Sequence, residues 1–286
     1  MPLTTTVTSE PSTETKVHYF KVVPYSPHVG AEILDIDLTQ PLSKDVVKAL
    51  YEVFLRYGVL FFRDQHLSFD DHIRFAGYFG GGPGKHVGVK PISTATDNPL
   101  VRRFHYDEKS TRISGESFHS DQSCAAIPPM GSILYNHIVP KDGGGDTLFG
   151  NMYAAYDALS PGMQTYLEGL SAVHDGTRIF GPGTPISTHP VIPQHPETGR
   201  KLIYVNSDFT REIIGVPKLE SDRILAFLLE HVAKPEWQCR FRWQAHSVAF
   251  WDNRCLQHKA IWDYWPNVRS GYRVQIEGTE PPKAAV

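Results

Sequence analysis

A chain of 286 residues with 41% hydrophobic content carries enough apolar material for one large core or two ordinary ones. Its 28 Lys and Arg against 31 Asp and Glu leave a formal charge of -3, without the basic excess of a nucleic-acid binder. No apolar run approaches a membrane span, and Cys124, Cys239 and Cys255 lack Cys-x-x-Cys spacing, which fits a reduced cytoplasmic protein better than a disulfide scaffold.

Residues 1–16, rich in Thr, Ser, Glu and Pro, predict a disordered tail, and the start at Met1 lacks the basic and apolar regions of a secretory leader. An extended region follows from Val22-Val23-Pro24 to Ile36-Asp37-Leu38. Ser43 then caps a helix whose apolar face is Val46, Val47, Leu50, Tyr51 and Phe54, stopped at Gly58. The short apolar run Val59-Leu60-Phe61-Phe62 reads as a buried strand. Ser68 opens a second helix ending near Phe79-Gly80. Residues 80–118, with many Gly, Pro and Thr and little periodicity, predict a long loop region over a functional site.

Further along, Ser132-Ile133-Leu134-Tyr135-Asn136 alternates as a strand and leads to a turn at Asp142-Gly143-Gly144-Gly145-Asp146. Ser160-Pro161 opens a helix, with Pro where its missing donor costs nothing. Another helix spans Ser221 to Val232, with Leu225, Leu228, Leu229 and Val232 on one stripe. Strands are predicted at 202–205, 238–243, 248–251 and 272–276. There is no internal repeat.

The chemistry-bearing pattern is Phe118-His119-Ser120-Asp121, answered far downstream by Trp251-Asp252-Asn253 and His258. Two imidazoles and one carboxylate can hold one face of Fe(II) and leave three positions open. Residues two apart in an extended segment project to the same side, so His119 and Asp121 can enter one cavity. By itself the spacing is weak, because 14 His predict about one His-x-Asp by accident. A second copy, His105-Tyr106-Asp107, is indeed present; read alone, either copy is more often an exposed or core-satisfied pair.

Context favours the later copy. After Asp121 come Ile127-Pro128-Pro129, the alternating strand, the glycine turn and Thr147; after His258 come Arg269 and Arg273, spaced by four on one strand. This ordering, from about Tyr19 to about Glu277, resembles the taurine dioxygenase / 2,4-dichlorophenoxyacetate dioxygenase family of Fe(II)- and 2-oxoglutarate-dependent oxygenases. The resemblance implies an all-β core, a double-stranded β-helix or jelly roll of the clavaminate synthase-like kind, with flanking α-helices. It also implies one catalytic domain over residues 17–280, followed by a C-terminal tail at 281–286. One domain suits the proposed donors, which are distant in sequence and must meet.

Roles carried by the resemblance are these. His119, Asp121 and His258 are similar to the metal triad, although zinc accepts the same donors. Arg269 matches the arginine that forks onto the far carboxylate of 2-oxoglutarate, and Thr147 the hydroxyl that assists it; alone, Thr147 reads as a hairpin turn and the arginines as a solvated strand face. Arg273, on the same side of its strand, matches the residue that holds an anionic substrate head, with His86 beside it. Phe209 and Trp251 match aromatic pocket positions; Phe209 is expected to line the pocket and Trp251 to lie behind the ligands, though either type is usually core. Cys124, three residues after Asp121, reads as a small core filler.

Departures bear on the substrate. Val89 stands where taurine-cleaving members have a tyrosine, and Gly115 where an asparagine precedes the first metal histidine. Both remove groups suited to a small zwitterion such as taurine. The resemblance implies hydroxylation of the carbon beside the heteroatom of a small anionic organic substrate, with 2-oxoglutarate and O2 giving succinate and CO2 and the product collapsing to a carbonyl. An alkyl sulfonate or sulfate ester, releasing sulfite or sulfate, comes first; an aryloxy carboxylate releasing a phenol, or taurine, are alternatives. Two other classes use the same residues: a zinc hydrolase or lyase, and a barrel that binds without catalysis. Homo-oligomers occur in the family, but no interface is specified by the sequence.

Overall fold

The computed structural model describes residues 15–17, 19–80, 82–84 and 98–285. In chain order the elements are β1 (Thr15–Val17), β2 (Phe20–Pro24), β3 (Ala31–Leu34), α1 (Lys44–Tyr57), β4 (Val59–Phe62), α2 (Phe69–Ala76), β5 (Pro83–Gly84) and β6 (Arg102–Tyr106). Next come β7 (Gly131–Ile138), β8 (Thr147–Asn151), α3 (Met152–Asp157), α4 (Pro161–Glu168), β9 (Ser171–Asp175), α5 (Thr177–Phe180), β10 (Ile186–Pro190) and β11 (Pro193–Gln194). The chain closes with β12 (Thr210–Ile213), α6 (Lys218–Val232), β13 (Gln238–Phe241), β14 (Ser247–Asp252), β15 (Leu256–Ala260), β16 (Arg269–Ile276) and β17 (Lys283–Ala284).

A large sheet runs β1-β2-β3-β4-β14-β7-β16-β5, with β6 also paired to β16; a small sheet runs β13-β8-β15, and a third runs β10-β9-β12. Among the described residues only β3 and β4 pair in parallel, and α1 supplies the crossover that parallel neighbours need. The unbroken apolar run of β4 follows from burial on both faces. Leu60 and Phe62 pack with Phe54 and Phe75 of the helices, whereas Val59 and Phe61 face Phe149 and Phe241 of the small sheet. Strand β14 repeats the pattern: Phe250 stacks on Phe54 with ring centroids 4.0 Å apart, and Trp251 points the other way, toward Phe149. The inner faces of the two sheets therefore enclose the second cluster.

Helix boundaries differ modestly from expectation. The Ser43 cap holds, its side chain accepting from Val46 N. Ser68 caps α2 in a reciprocal pair with Asp71, but the helix stops at Ala76 because Tyr78 and Phe79 tighten into three-residue turns. Helix α6 starts at Lys218, after Pro217, and Ser221 is inside it, accepting from Ile213 N.

Three expectations need correction. Residues 80–118 are not all loop, since β6 lies within them and pairs along β16 from Arg102–Arg273 to Tyr106–Arg269. Residues 202–205 are fully buried but form no strand: Leu202 and Tyr204 donate to Pro193 and Val191 on one side while Ile203 donates to Met152 on the other, too few bonds on either side for a regular ladder. Thr15 and Lys16 of β1 and Lys283–Ala284, expected in the tails, pair with β2 and β11.

Candidate active site

Two metal-ligand candidates are locked face to face by the backbone. His119 N donates to His258 O at 3.1 Å and His258 N to His119 O at 2.9 Å, an isolated antiparallel pair that brings the ring centroids to 4.2 Å. Ser120 Oγ reinforces the join by donating to Leu256 O at 2.8 Å. Asp121, one pleat on, returns to the same side as His119. Its Oδ1 lies 3.8 Å from His119 Nε2 and 3.9 Å from His258 Nε2, close enough for all three to share an ion.

The surroundings fix the chemical state of these donors. Asp121 Oδ2 accepts from Ser132 Oγ at 2.6 Å and Oδ1 from Arg273 Nη1 at 2.8 Å. Burial alone would raise its carboxyl pKa, but Arg273, the two histidines and the Ser132 hydroxyl outweigh burial and hold it well below the usual carboxylate range. His258 is driven well down, first by burial and then by His119, so it stays a neutral imidazole ready to coordinate. His119 turns Nδ1 to Ser117 O at 2.8 Å, leaving Nε2 toward the triad. Two imidazoles and one carboxylate are a donor set that suits Fe(II).

The triad opens on a cavity whose walls include Phe104 and Tyr106 of β6, Leu134 of β7, Phe149 of β8 and Trp251 of β14. Arg269 and Arg273 line it as well, on one side of β16, although the register against β7 shifts between Ser270 and Gly271. Arg269 is buried with Nε and Nη2 unpartnered. A guanidinium left in that condition fits a carboxylate ligand. Thr147 Oγ1, in the same cavity, accepts from Trp243 Nε1 at 3.0 Å, so its own hydroxyl proton is free for an incoming acceptor. The residues present therefore fit both Fe(II) and a cosubstrate with a carboxylate tail.

Other sequence candidates separate. His105 is on the opposite face of β6 from Phe104 and Tyr106, exposed, with Nε2 3.8 Å from Asp107 and no part in the triad. Phe209 does not line the described walls; it is buried, with its ring 5.8 Å from Phe180, because Phe209 N bonds Asn206 Oδ1 and turns the segment inward. Trp251 lies against His258 at 4.7 Å between centroids and donates Nε1 to Asn253 Oδ1, which also accepts from Asp121 N. Cys124 is a buried filler, absent from the triad, with its thiol pushed up to about 11 by burial. His86 and Val89 lie outside the described residues. Gly115 is positioned with φ +81, and a Cβ there would sit 2.9 Å from Cε1 of His119.

Sequence reasoning missed Phe104, Tyr106, Trp243 and Ser132. Only Ser132 carried a usable signal, as the first inward position of an alternating strand. A second buried cluster, His195, Asp252 and Cys255, is satisfied internally. His195 Nδ1 accepts from Glu197 N and Thr198 N, its Nε2 lies 3.2 Å from Asp252 Oδ2, and Arg254 takes both Asp252 oxygens at 2.8 and 2.7 Å.

The family model described as taurine catabolism dioxygenase TauD, TfdA family matches residues 21–275. The chain belongs to this family. Among TauD/TfdA relatives, it is 33% identical to an alkylsulfatase of Acinetobacter baylyi, covering 87% of this chain and 82% of that protein. It is 31% identical to the alpha-ketoglutarate-dependent 2,4-dichlorophenoxyacetate dioxygenase of Cupriavidus pinatubonensis, over 82% and 90%. A solved taurine dioxygenase from Burkholderia xenovorans superposes with a TM-score of 0.81 at 35% identity, covering 92% of each chain. As a TauD/TfdA enzyme the chain is a 2-oxoglutarate-dependent dioxygenase, with Fe(II), 2-oxoglutarate and O2 as its cofactor and cosubstrates. Among the described residues no helix is long and apolar enough to cross a membrane.

Proposed function

We propose that this dioxygenase hydroxylates the carbon next to the heteroatom of a small substrate with an anionic head and an apolar tail, most suitably an alkyl sulfonate or an alkyl sulfate ester. The observation that carries this reading is the buried Arg273 guanidinium beside Asp121, opening on walls of Phe104, Leu134 and Phe149. A cation set beside apolar wall residues selects an anion joined to a hydrocarbon. The two main sheets form the walls of a jelly roll, and residues 17–280 act as one catalytic unit.

His119, Asp121 and His258 hold Fe(II), and Arg269 with Thr147 grips the far carboxylate of 2-oxoglutarate. Once bound, the metal and cosubstrate supply oxidising power, one oxygen atom ending in succinate and the other in the substrate. The chain's own contribution is placement. Arg273 fixes the head so that the adjacent C–H bond faces the triad, and the aromatic walls exclude water. Hydroxylation leaves a carbon bearing both hydroxyl and heteroatom; loss of the hydroxyl proton forms the carbonyl as the C–S or C–O bond breaks and sulfite or sulfate departs. His86 and Val89 are assigned to the head and tail of the substrate, respectively.

Succinate formation from 2-oxoglutarate, dependent on Fe(II) and O2 and stimulated by hexanesulfonate or hexyl sulfate with stoichiometric sulfite or sulfate, is the expected result. Stimulation only by aryloxy acids, with phenol release, would move the substrate to the carboxylate class. No succinate under any of these conditions would end the oxygenase reading.

A further inference from the structure

Antiparallel pairing of β6 with β16 sets Arg102 directly opposite Arg273. Cross-strand partners share a face, so Arg102 lies on the side of β6 that carries Phe104 and Tyr106, one pleat beyond the part of the strand that lines the cavity. The Phe104 ring serves both: Cζ of Arg102 lies 4.6 Å and Cζ of Arg273 lies 4.9 Å from its centroid. The Arg273 guanidinium has Asp121, whereas the Arg102 guanidinium makes no hydrogen bond or ion pair to a described residue. Burial, then repulsion from Arg273, brings the Arg102 guanidinium down to about 10, still charged at neutral pH. Two neighbouring guanidiniums thus share a single carboxylate, and that carboxylate belongs to the metal triad.

The chemistry of the head decides what such a pair can recognise. One guanidinium fork satisfies a planar carboxylate, which has two oxygens. A sulfonate or sulfate head is pyramidal and offers a third oxygen to a second fork. We infer that Arg102 is a second head-group arginine, binding jointly with Arg273, and that the pair sets the enzyme's preference for sulfur oxyanions over carboxylates. This rests on the substrate class proposed above and names the residue that imposes it.

The test compares hexanesulfonate, hexyl sulfate and hexanoate, three six-carbon compounds that differ in the anionic head, on the wild type, R102Q and R102K. KM and kcat are measured with the Fe(II)-loaded enzyme, and dissociation constants by anaerobic titration in the presence of 2-oxoglutarate. R102Q is expected to raise KM and Kd for both sulfur compounds roughly tenfold to hundredfold, the loss of one charged contact, and those for hexanoate by about threefold at most. R102K is expected to recover part of the loss, because it restores the charge without the fork. Equal effects on all three heads, or none, in a wild type that uses the sulfur compounds would overturn the role of Arg102 alone. A wild type that uses neither sulfur compound would overturn the substrate class, and this inference with it.

Discussion

Arg273 Nη1 lies 2.8 Å from Oδ1 of Asp121, so the carboxylate of the metal triad is also the counterion of a buried arginine. On the roles proposed for Asp121 and Arg273, metal loading and head-group binding meet at one oxygen atom. In Arg273→Ala, Asp121 is left as a buried charge without its cation. Breaking one side of such a pair is expected to cost the metal-free protein about 3 kcal/mol or more of unfolding free energy, with part of the loss recovered by saturating divalent metal. Denaturant unfolding with and without Fe(II) or Mn(II) measures this; equal losses in both conditions count against the shared role. Substrate-coupled hydroxylation is expected to fall more than uncoupled 2-oxoglutarate consumption.

Arg269→Lys should weaken 2-oxoglutarate binding about tenfold or more while iron binding persists, since a point charge replaces two fork nitrogens. Thr147→Val should do the same more mildly and disturb Trp243 fluorescence, because it removes the indole's acceptor. Anaerobic titration of 2-oxoglutarate into the Fe(II) protein reads both, and an unchanged Kd in the Lys variant would remove Arg269 from the cosubstrate site.

Stability should decline as pH falls from 7 toward 4. Burial lowers His72 to about 4 and His174 to about 3, and drives His258 well down, all from an ordinary 6.5. Between those folded values and 6.5 the unfolded chain binds more protons than the folded one, so each histidine removes roughly 1.4 kcal/mol per pH unit on the way down. Asp121 acts further into acid: its depressed pKa gives stability that is full above the ordinary carboxylate range and lost as pH drops through the folded value. Unfolding free energy measured across this range should show a shallower slope in His72→Gln. A flat profile from pH 7 to 5 would contradict the neutral buried histidines.

Gly115→Asn restores the side chain that the family pattern places before the metal histidine, yet here it is expected to weaken iron binding. With φ +81 and a Cβ position 2.9 Å from Cε1 of His119, any side chain presses on the ligand ring. A loss of about tenfold in Fe(II) affinity is expected, of the size seen when ligand-orienting groups are disturbed. Unaltered affinity would mean that the His119 ring shifts at no cost.

Legibility followed the kind of physics each segment obeys. Caps at Ser43, Ser68 and Ser160 and the doubly buried β4 were readable because local preference and burial agree there. Strand β6 was hidden because Phe104 and Tyr106 face a polar cavity rather than a core and share their side of the strand with Arg102, so it lacks apolar alternation. The run 202–205 misled for the opposite reason: it is as apolar as a strand, but its hydrogen bonds are divided between the 191–193 segment and Met152 without building a ladder on either. In the site, the spacing and order of His119, Asp121, His258, Arg269 and Arg273 were visible in the chain. Which way Phe209 turned, and which wall Phe104 and Trp243 would form, depended on tertiary packing.

The most direct test of the shared ferrous centre is Fe(II) stoichiometry by anaerobic equilibrium dialysis of the wild type, His119→Ala, His105→Ala and His195→Ala. One tightly held ion is expected in the wild type and in the His105 and His195 variants, and none in His119→Ala. Retention of iron by His119→Ala, with loss in either of the other two, would place the metal elsewhere in the chain and contradict the account.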